Sequence, residues 1–196
     1  MLGTADALVV LVPVVGLVLV VSGLRGRRSW GRTFGLGVLA VYAVAVVAVT
    51  FFPLPTSATY RGFLADQGAV PRHNVVPFAT WLATARAGAA VFGYQVGGNL
   101  LLLAPLGFLV PLLWPQRASL GAVAIIGGAV TLSIELTQFA IGAMLGVAYK
   151  AFDVDDLVLN LLGVAVGWGL YRLLELRMTD RDRWSASRDW VRDTAS

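Results

Sequence analysis

The segment Phe152-Asp153-Val154-Asp155-Asp156-Leu157-Val158-Leu159-Asn160 sets three carboxylates and an amide at the start of an apolar run that reaches Tyr171. Carboxylate oxygens in such a place can ligate a hard divalent cation, act as general acid and base, or accept hydrogen bonds from a ligand. Ionisable groups at membrane depth are costly and face a protein interior or a wet cavity. Asp153, Asp156 and Asn160 are spaced i, i+3 and i+7, which puts them on one face of a helix. Glu135 and Gln138, at i and i+3 in another apolar run, also share a face. Asn99 opens a third run, and Arg72, His73 and Asn74 come from a loop. Lys150 precedes the acidic run and, with Arg72 and His73, supplies positive charge for a carboxylate or an anionic ligand.

The elements that must position these groups are membrane spans. Of 196 residues, 58% are hydrophobic and only 13% charged, with a mean hydropathy of +0.78. Five runs have the length and apolarity of spanning helices: about Ala7–Leu24, Thr33–Leu54, Gly98–Trp114, Leu120–Gly142 and Leu157–Leu174. The first is flanked by Asp6 before it and Arg25-Gly26-Arg27-Arg28 after it. That is the reverse of a signal peptide, so it reads as a retained helix. With its N-terminus outside, eleven arginines fall in cytoplasmic segments: Arg25, Arg27, Arg28, Arg32, Arg117, Arg172, Arg177, Arg181, Arg183, Arg188 and Arg192. The external segments hold Arg61, Arg72, Arg86 and Lys150. This asymmetry predicts five spans, N-out and C-in.

The net charge of +4 lies beside the spans and reads as a topology signal at anionic headgroups, not as a nucleic-acid surface. Cysteine is absent, which excludes disulfides, thiolate chemistry and cysteine-based zinc sites. The long external loop, Pro55 to Gly97, contains a helical pattern from Phe78 to Phe92 that fits an interfacial or re-entrant helix. The expected fold is an all-α integral membrane helical bundle of about five transmembrane helices. Residues 1–32 form the first span and a basic cytoplasmic loop, 33–176 the main membrane domain, and 177–196 a charged cytoplasmic tail in headgroup contact or disordered. Asn99, Glu135, Gln138, Asp153, Asp156 and Asn160 then lie near the outer leaflet with the loop residues. The inner half offers little beyond Thr33, Tyr42 and Ser119.

Four segments together carry a resemblance to the VanZ-like membrane proteins. They are Asn74-Val75-Val76-Pro77-Phe78, Gly98-Asn99-Leu100 through Pro105-Leu106-Gly107-Phe108, Glu135-Leu136-Thr137-Gln138, and Asp153-Val154-Asp155-Asp156 through Gly163. The resemblance covers roughly residues 40 to 170. It implies a multi-pass protein of the bacterial plasma membrane, from a family named after an accessory protein of glycopeptide-resistance clusters and associated with teicoplanin resistance. Relatives usually carry arginine where Lys150 stands here; lysine keeps the charge but lacks the bidentate fork.

Three functions follow in order of support. The first is an envelope protein binding a lipid, lipid-linked or lipidated ligand in an outward-facing polar pocket. Its candidate residues are Arg72, His73, Asn74, Asn99, Glu135, Gln138, Lys150, Asp153, Asp156 and Asn160. The second is a membrane enzyme acting on a lipid-linked phosphate or glycan through the Asp/Glu cluster, and the third a transporter. The partners expected are the bilayer and such a ligand, with no nucleic acid. No cofactor, resident metal or catalytic residue is assigned.

Overall fold

The computed structural model describes residues 30–54, 58, 62, 73–145, 150 and 152–193. Within these, the chain forms α1 (Trp30–Phe51), α2 (Ala79–Ala87), α3 (Ala89–Leu113), a 3₁₀ turn (Pro115–Arg117), α4 (Leu120–Leu145) and α5 (Val154–Asp193). Four helices contain a stretch long and apolar enough to cross a membrane: Arg32–Phe51, Ala89–Leu113, Leu120–Leu145 and Val154–Met178. At the α-helical rise, the 25 residues of α3 cover roughly 38 Å, more than a hydrocarbon core of about 30 Å. The expected first span, Ala7–Leu24, lies outside the described residues, as do Arg25, Arg27, Arg28 and Arg72.

The outer faces of these helices are apolar. Phe34 and Ile125 are each 75% exposed, and Leu101 is 73% exposed. An apolar surface of that kind suits lipid and would be a liability in water. The protein is an integral membrane helical bundle. Its core lies where α3, α4 and α5 meet, around Leu103, Leu106, Val110, Val123 and Val164, with Leu39 and Tyr42 of α1 packed against it.

Lipid tails are as apolar as leucine, so helices in a membrane associate by close packing and hydrogen bonds. Small residues supply that closeness between α3 and α5. A Cβ at Gly167 would fall 1.9 Å from the Ala104 carbonyl oxygen, and one at Gly163 would fall 2.1 Å from that of Leu100. From the other side, a Cβ at Gly107 would meet the Val164 carbonyl at 2.0 Å. The backbones therefore touch where these glycines lie. Pro105 and Pro111 interrupt the hydrogen-bond ladder of α3. Beside the first of them the Tyr42 hydroxyl donates to the Leu102 carbonyl at 2.6 Å, tying α1 to α3.

Two boundaries differ from the sequence reading. The helical pattern over 78–92 divides at Gly88, whose φ of 125° is a conformation that L side chains rarely adopt. The third span thus begins at Ala89 instead of Gly98, which puts Gln95 and Asn99 on one helix. The last helix begins at Val154 and its backbone runs to Asp193, well past the expected 157–174.

Candidate functional site

The polar groups at one end of the bundle form two adjoining arrangements. The first joins the loop before α2 to the start of α5. Asn74 and Asp153 form a parallel bridge: Asn74 N–H donates to the Phe152 carbonyl at 2.8 Å, and Val154 N–H to the Asn74 carbonyl at 3.0 Å. Asp153 is the N-cap of α5, its Oδ1 accepting from Asp155 N–H at 2.8 Å. The same oxygen accepts from Asn74 Nδ2 at 2.8 Å, and Oδ2 accepts from the Thr80 hydroxyl at 2.6 Å. Asp155 is 1% exposed and caps a different helix. Its carboxylate accepts from the N–H groups of Phe78 (2.5 Å), Thr80 (2.8 Å) and Trp81 (3.4 Å), the orphan donors at the start of α2. No side chain of α2 caps that end, and Phe78 is held at φ 67°. His73 Nδ1 accepts from Phe152 N–H at 3.1 Å, and its ring packs edge-on against Phe139.

The second arrangement is a cavity of about 340 Å³ between α1, α3, α4 and α5. Its polar lining is Thr50, Tyr94, Gln95, Asn99, Glu135, Gln138, Lys150, Asp156 and Asn160. Asp156 Oδ1 accepts from Asn99 Nδ2 at 2.6 Å and Gln95 Nε2 at 2.9 Å. Glu135, 3% exposed, accepts from Asp153 N–H at 3.1 Å and so links cavity and cap. Pro53 ends α1, leaving its last carbonyls without helical donors. The Thr50 carbonyl instead accepts from Gln138 Nε2 at 2.9 Å and from the Lys150 ammonium. A cation at a helix C-terminus also complements the helix dipole. Asn160 donates to the Thr131 hydroxyl at 2.9 Å, while its Oδ1 is buried with no hydrogen-bond partner.

Glu135, Asp156 and Lys150 face one cavity, yet the one ion pair among the described residues is Arg172–Glu175 at the far end of α5. Nor do any three His, Cys, Asp or Glu among the described residues approach closely enough to hold a metal ion. The physical reason is that Asp153 turns its carboxylate back to the cap. A trio of Glu135, Asp153 and Asp156 on one ion is therefore not formed.

Burial pushes the Lys150 ammonium below its ordinary range, against the opposing pull of Glu135 and Asp156. Lys150 is the chain's single lysine. A lowered pKa means that the neutral, nucleophilic amine appears at lower pH. In detergent-purified protein, acylation of Lys150 is expected to set in at lower pH than at a reference lysine placed at exposed Arg177, read by peptide mass spectrometry. A Lys150 midpoint at or above that of the reference would contradict this burial effect.

Of the residues expected from sequence, Asn99, Glu135, Gln138, Lys150, Asp156 and Asn160 line the cavity. His73, Asn74 and Asp153 belong to the cap arrangement beside it. Arg72 lies outside the described residues. Sequence reasoning missed Asp155, Thr80, Gln95 and Thr50. Gln95 carried a signal, its i, i+4 spacing from Asn99, which became usable once α3 was seen to begin at Ala89. Asp155 carried none, since nothing in Asp155-Asp156 says which of the two turns to the loop.

Fold and site together define a multi-pass α-helical membrane protein with a polar cavity at one end of its bundle. Residues 39–175 match the sequence profile of the VanZ/LLP1 family, and the chain belongs to that family. No curated protein and no solved structure matches it.

Proposed function

We propose that this is a bacterial plasma-membrane protein that binds a lipid or other amphipathic ligand from the outer leaflet in the polar cavity, and so affects tolerance of glycopeptides such as teicoplanin or of envelope stress. The observation that carries the reading is the set of buried Glu135 and half-buried Asp156 and Lys150, which line one cavity without pairing with one another. Charges held apart at membrane depth are expensive, and a ligand that engages them offsets the cost. The arginine asymmetry of the sequence favours this end of the bundle lying outside. A cavity of about 340 Å³ falls within the range of small-ligand sites.

The alternative is a membrane enzyme working on a lipid-linked phosphate or glycan. It has less support, because Asp153 and Asp155 are engaged in capping and only Glu135 and Asp156 remain as acidic groups in the cavity. The test is a complemented deletion strain carrying Glu135→Gln or Asp156→Asn. Both variants are expected to accumulate to wild-type level and to shift teicoplanin or envelope-stress sensitivity towards that of the deletion. Wild-type sensitivity at wild-type abundance would sink the proposal.

A further inference from the structure

Each of the four amide side chains that line the cavity commits an N–H to a neighbouring acceptor. The amide donors of Gln95 and Asn99 are directed at Asp156, and that of Gln138 at the Thr50 carbonyl. Asn160 gives its donor to Thr131. One buried polar atom of the lining residues has no hydrogen-bond partner, and it is an acceptor, Asn160 Oδ1, in a side chain only 1% exposed. A buried acceptor without a donor is costly. With the carboxylates of Glu135 and Asp156 on the same wall, the cavity suits a group rich in N–H donors and positive charge. Lys150 lines the cavity from the α4–α5 connection and offers a cation for an anionic group.

Below the cavity, between α1 and α4, runs an apolar groove of about 490 Å³ with Leu103 and Leu106 as its floor. The two spaces are continuous in their lining. Ile134 faces both, and Val49 and Thr50 of the cavity adjoin Val46 and Val47 of the groove on α1. On α4 the groove extends from Thr137 to Ala129, roughly 12 Å along the helix. Its lining is almost wholly apolar, which suits a hydrocarbon chain attached to a group held in the cavity.

We infer that the ligand of the proposed pocket is a membrane lipid with a zwitterionic headgroup bearing a primary ammonium and a phosphate. The ammonium meets Asn160 Oδ1, Glu135 and Asp156, the phosphate meets Lys150, and one acyl chain lies in the α1–α4 groove. The inference rests on the pocket reading above and deepens it. A trimethylated headgroup keeps the charge but has no N–H for Asn160, and an anionic glycerol headgroup brings no charge for the carboxylates.

The experiment is native mass spectrometry of the full chain in detergent. The probes are phosphatidylethanolamine, phosphatidylcholine, phosphatidylglycerol and free phosphoethanolamine. Phosphatidylethanolamine is expected to bind about ten-fold or more tightly than either other lipid, as one charge-assisted hydrogen bond would give. Glu135→Gln is expected to remove most of that preference. Lys150→Gln should weaken phosphatidylethanolamine and phosphatidylglycerol alike and leave their ratio unchanged. Ala129→Trp, which fills the exposed side of the groove, should lower lipid binding and leave free phosphoethanolamine unaffected.

Equal binding of the three lipids, or stronger binding of phosphatidylglycerol, overturns the headgroup assignment while the pocket reading stands if Asp156→Asn still lowers affinity. Free phosphoethanolamine binding as tightly as the lipid, or an Ala129→Trp protein with normal lipid affinity, overturns the chain in the groove. In the latter case the groove is covered by another apolar segment such as Ala7–Leu24. No binding of any probe overturns this inference and the pocket reading together.

Discussion

Asp155→Asn is expected to destabilise the protein by roughly 2–4 kcal/mol, whereas the same change at its neighbour, Asp156→Asn, is expected to cost about 1 kcal/mol or less. The two substitutions are chemically identical and nearly isosteric, so the difference isolates what each carboxylate faces. Both oxygens of Asp155 accept hydrogen bonds: Oδ1 from Phe78 N–H, Oδ2 from the N–H groups of Thr80 and Trp81. An asparagine there must turn an NH₂ against backbone donors and leave at least one of them buried without an acceptor. At Asp156 only Oδ1 receives the donors of Gln95 and Asn99, and an amide oxygen can take that place. Membrane proteins, like others, have limited reserves of stability, so a loss of this size is a large fraction of the total. Thermal unfolding of the detergent-purified variants, followed by size-exclusion retention of folded protein, measures it. An Asp155→Asn protein as stable as Asp156→Asn would show that the cap of α2 contributes little.

Gly167→Ala and Gly163→Ala are expected to cost about 3 kcal/mol or more each, at the upper end of what overpacking does. The added methyl would lie 1.9 Å from the Ala104 carbonyl oxygen or 2.1 Å from that of Leu100, and backbone cannot swing aside as a flexible side chain can. Relief requires α3 and α5 to separate, which opens the core around Val164 and Leu103. Gly169 provides the control on the same helix. A Cβ there meets nothing within 4 Å, so Gly169→Ala should be neutral or gain the several tenths of a kcal/mol of helix propensity. Folded yield and unfolding temperature of the three variants settle the comparison. Equal stability of Gly167→Ala and Gly169→Ala would mean that the helices do not touch at these glycines.

The membrane bundle was legible in the sequence because hydropathy and charge asymmetry are strong, redundant signals carried by whole helices. The grouping of Asn99, Glu135, Gln138, Asp156 and Asn160 was also legible, since each sits near the same end of its run and helical spacing sets its face. Asp153 was misplaced because it is an N-cap: outside the helix proper, its side chain does not follow the i, i+3 geometry and returns to the first turn. Asp155 was overlooked because its partner, the start of α2, is separated from it by more than seventy residues of chain. Gly88 hid the true start of α3, and with it Gln95, since a single residue of positive φ divides an otherwise unbroken helical pattern.

The carboxylate of Asp155 on the N-terminus of α2 has a consequence for synthesis. Ribosomes deliver the chain from its N-terminal end, so α2 and its preceding loop leave the translocon well before the residue that caps them exists. Asn74 and Thr80 likewise wait for Asp153. Until α5 has inserted, this end of the protein is a set of open backbone donors and acceptors in contact with the interface. Arrival of the last span closes all of them together, so maturation of the cavity registers whether insertion has been completed.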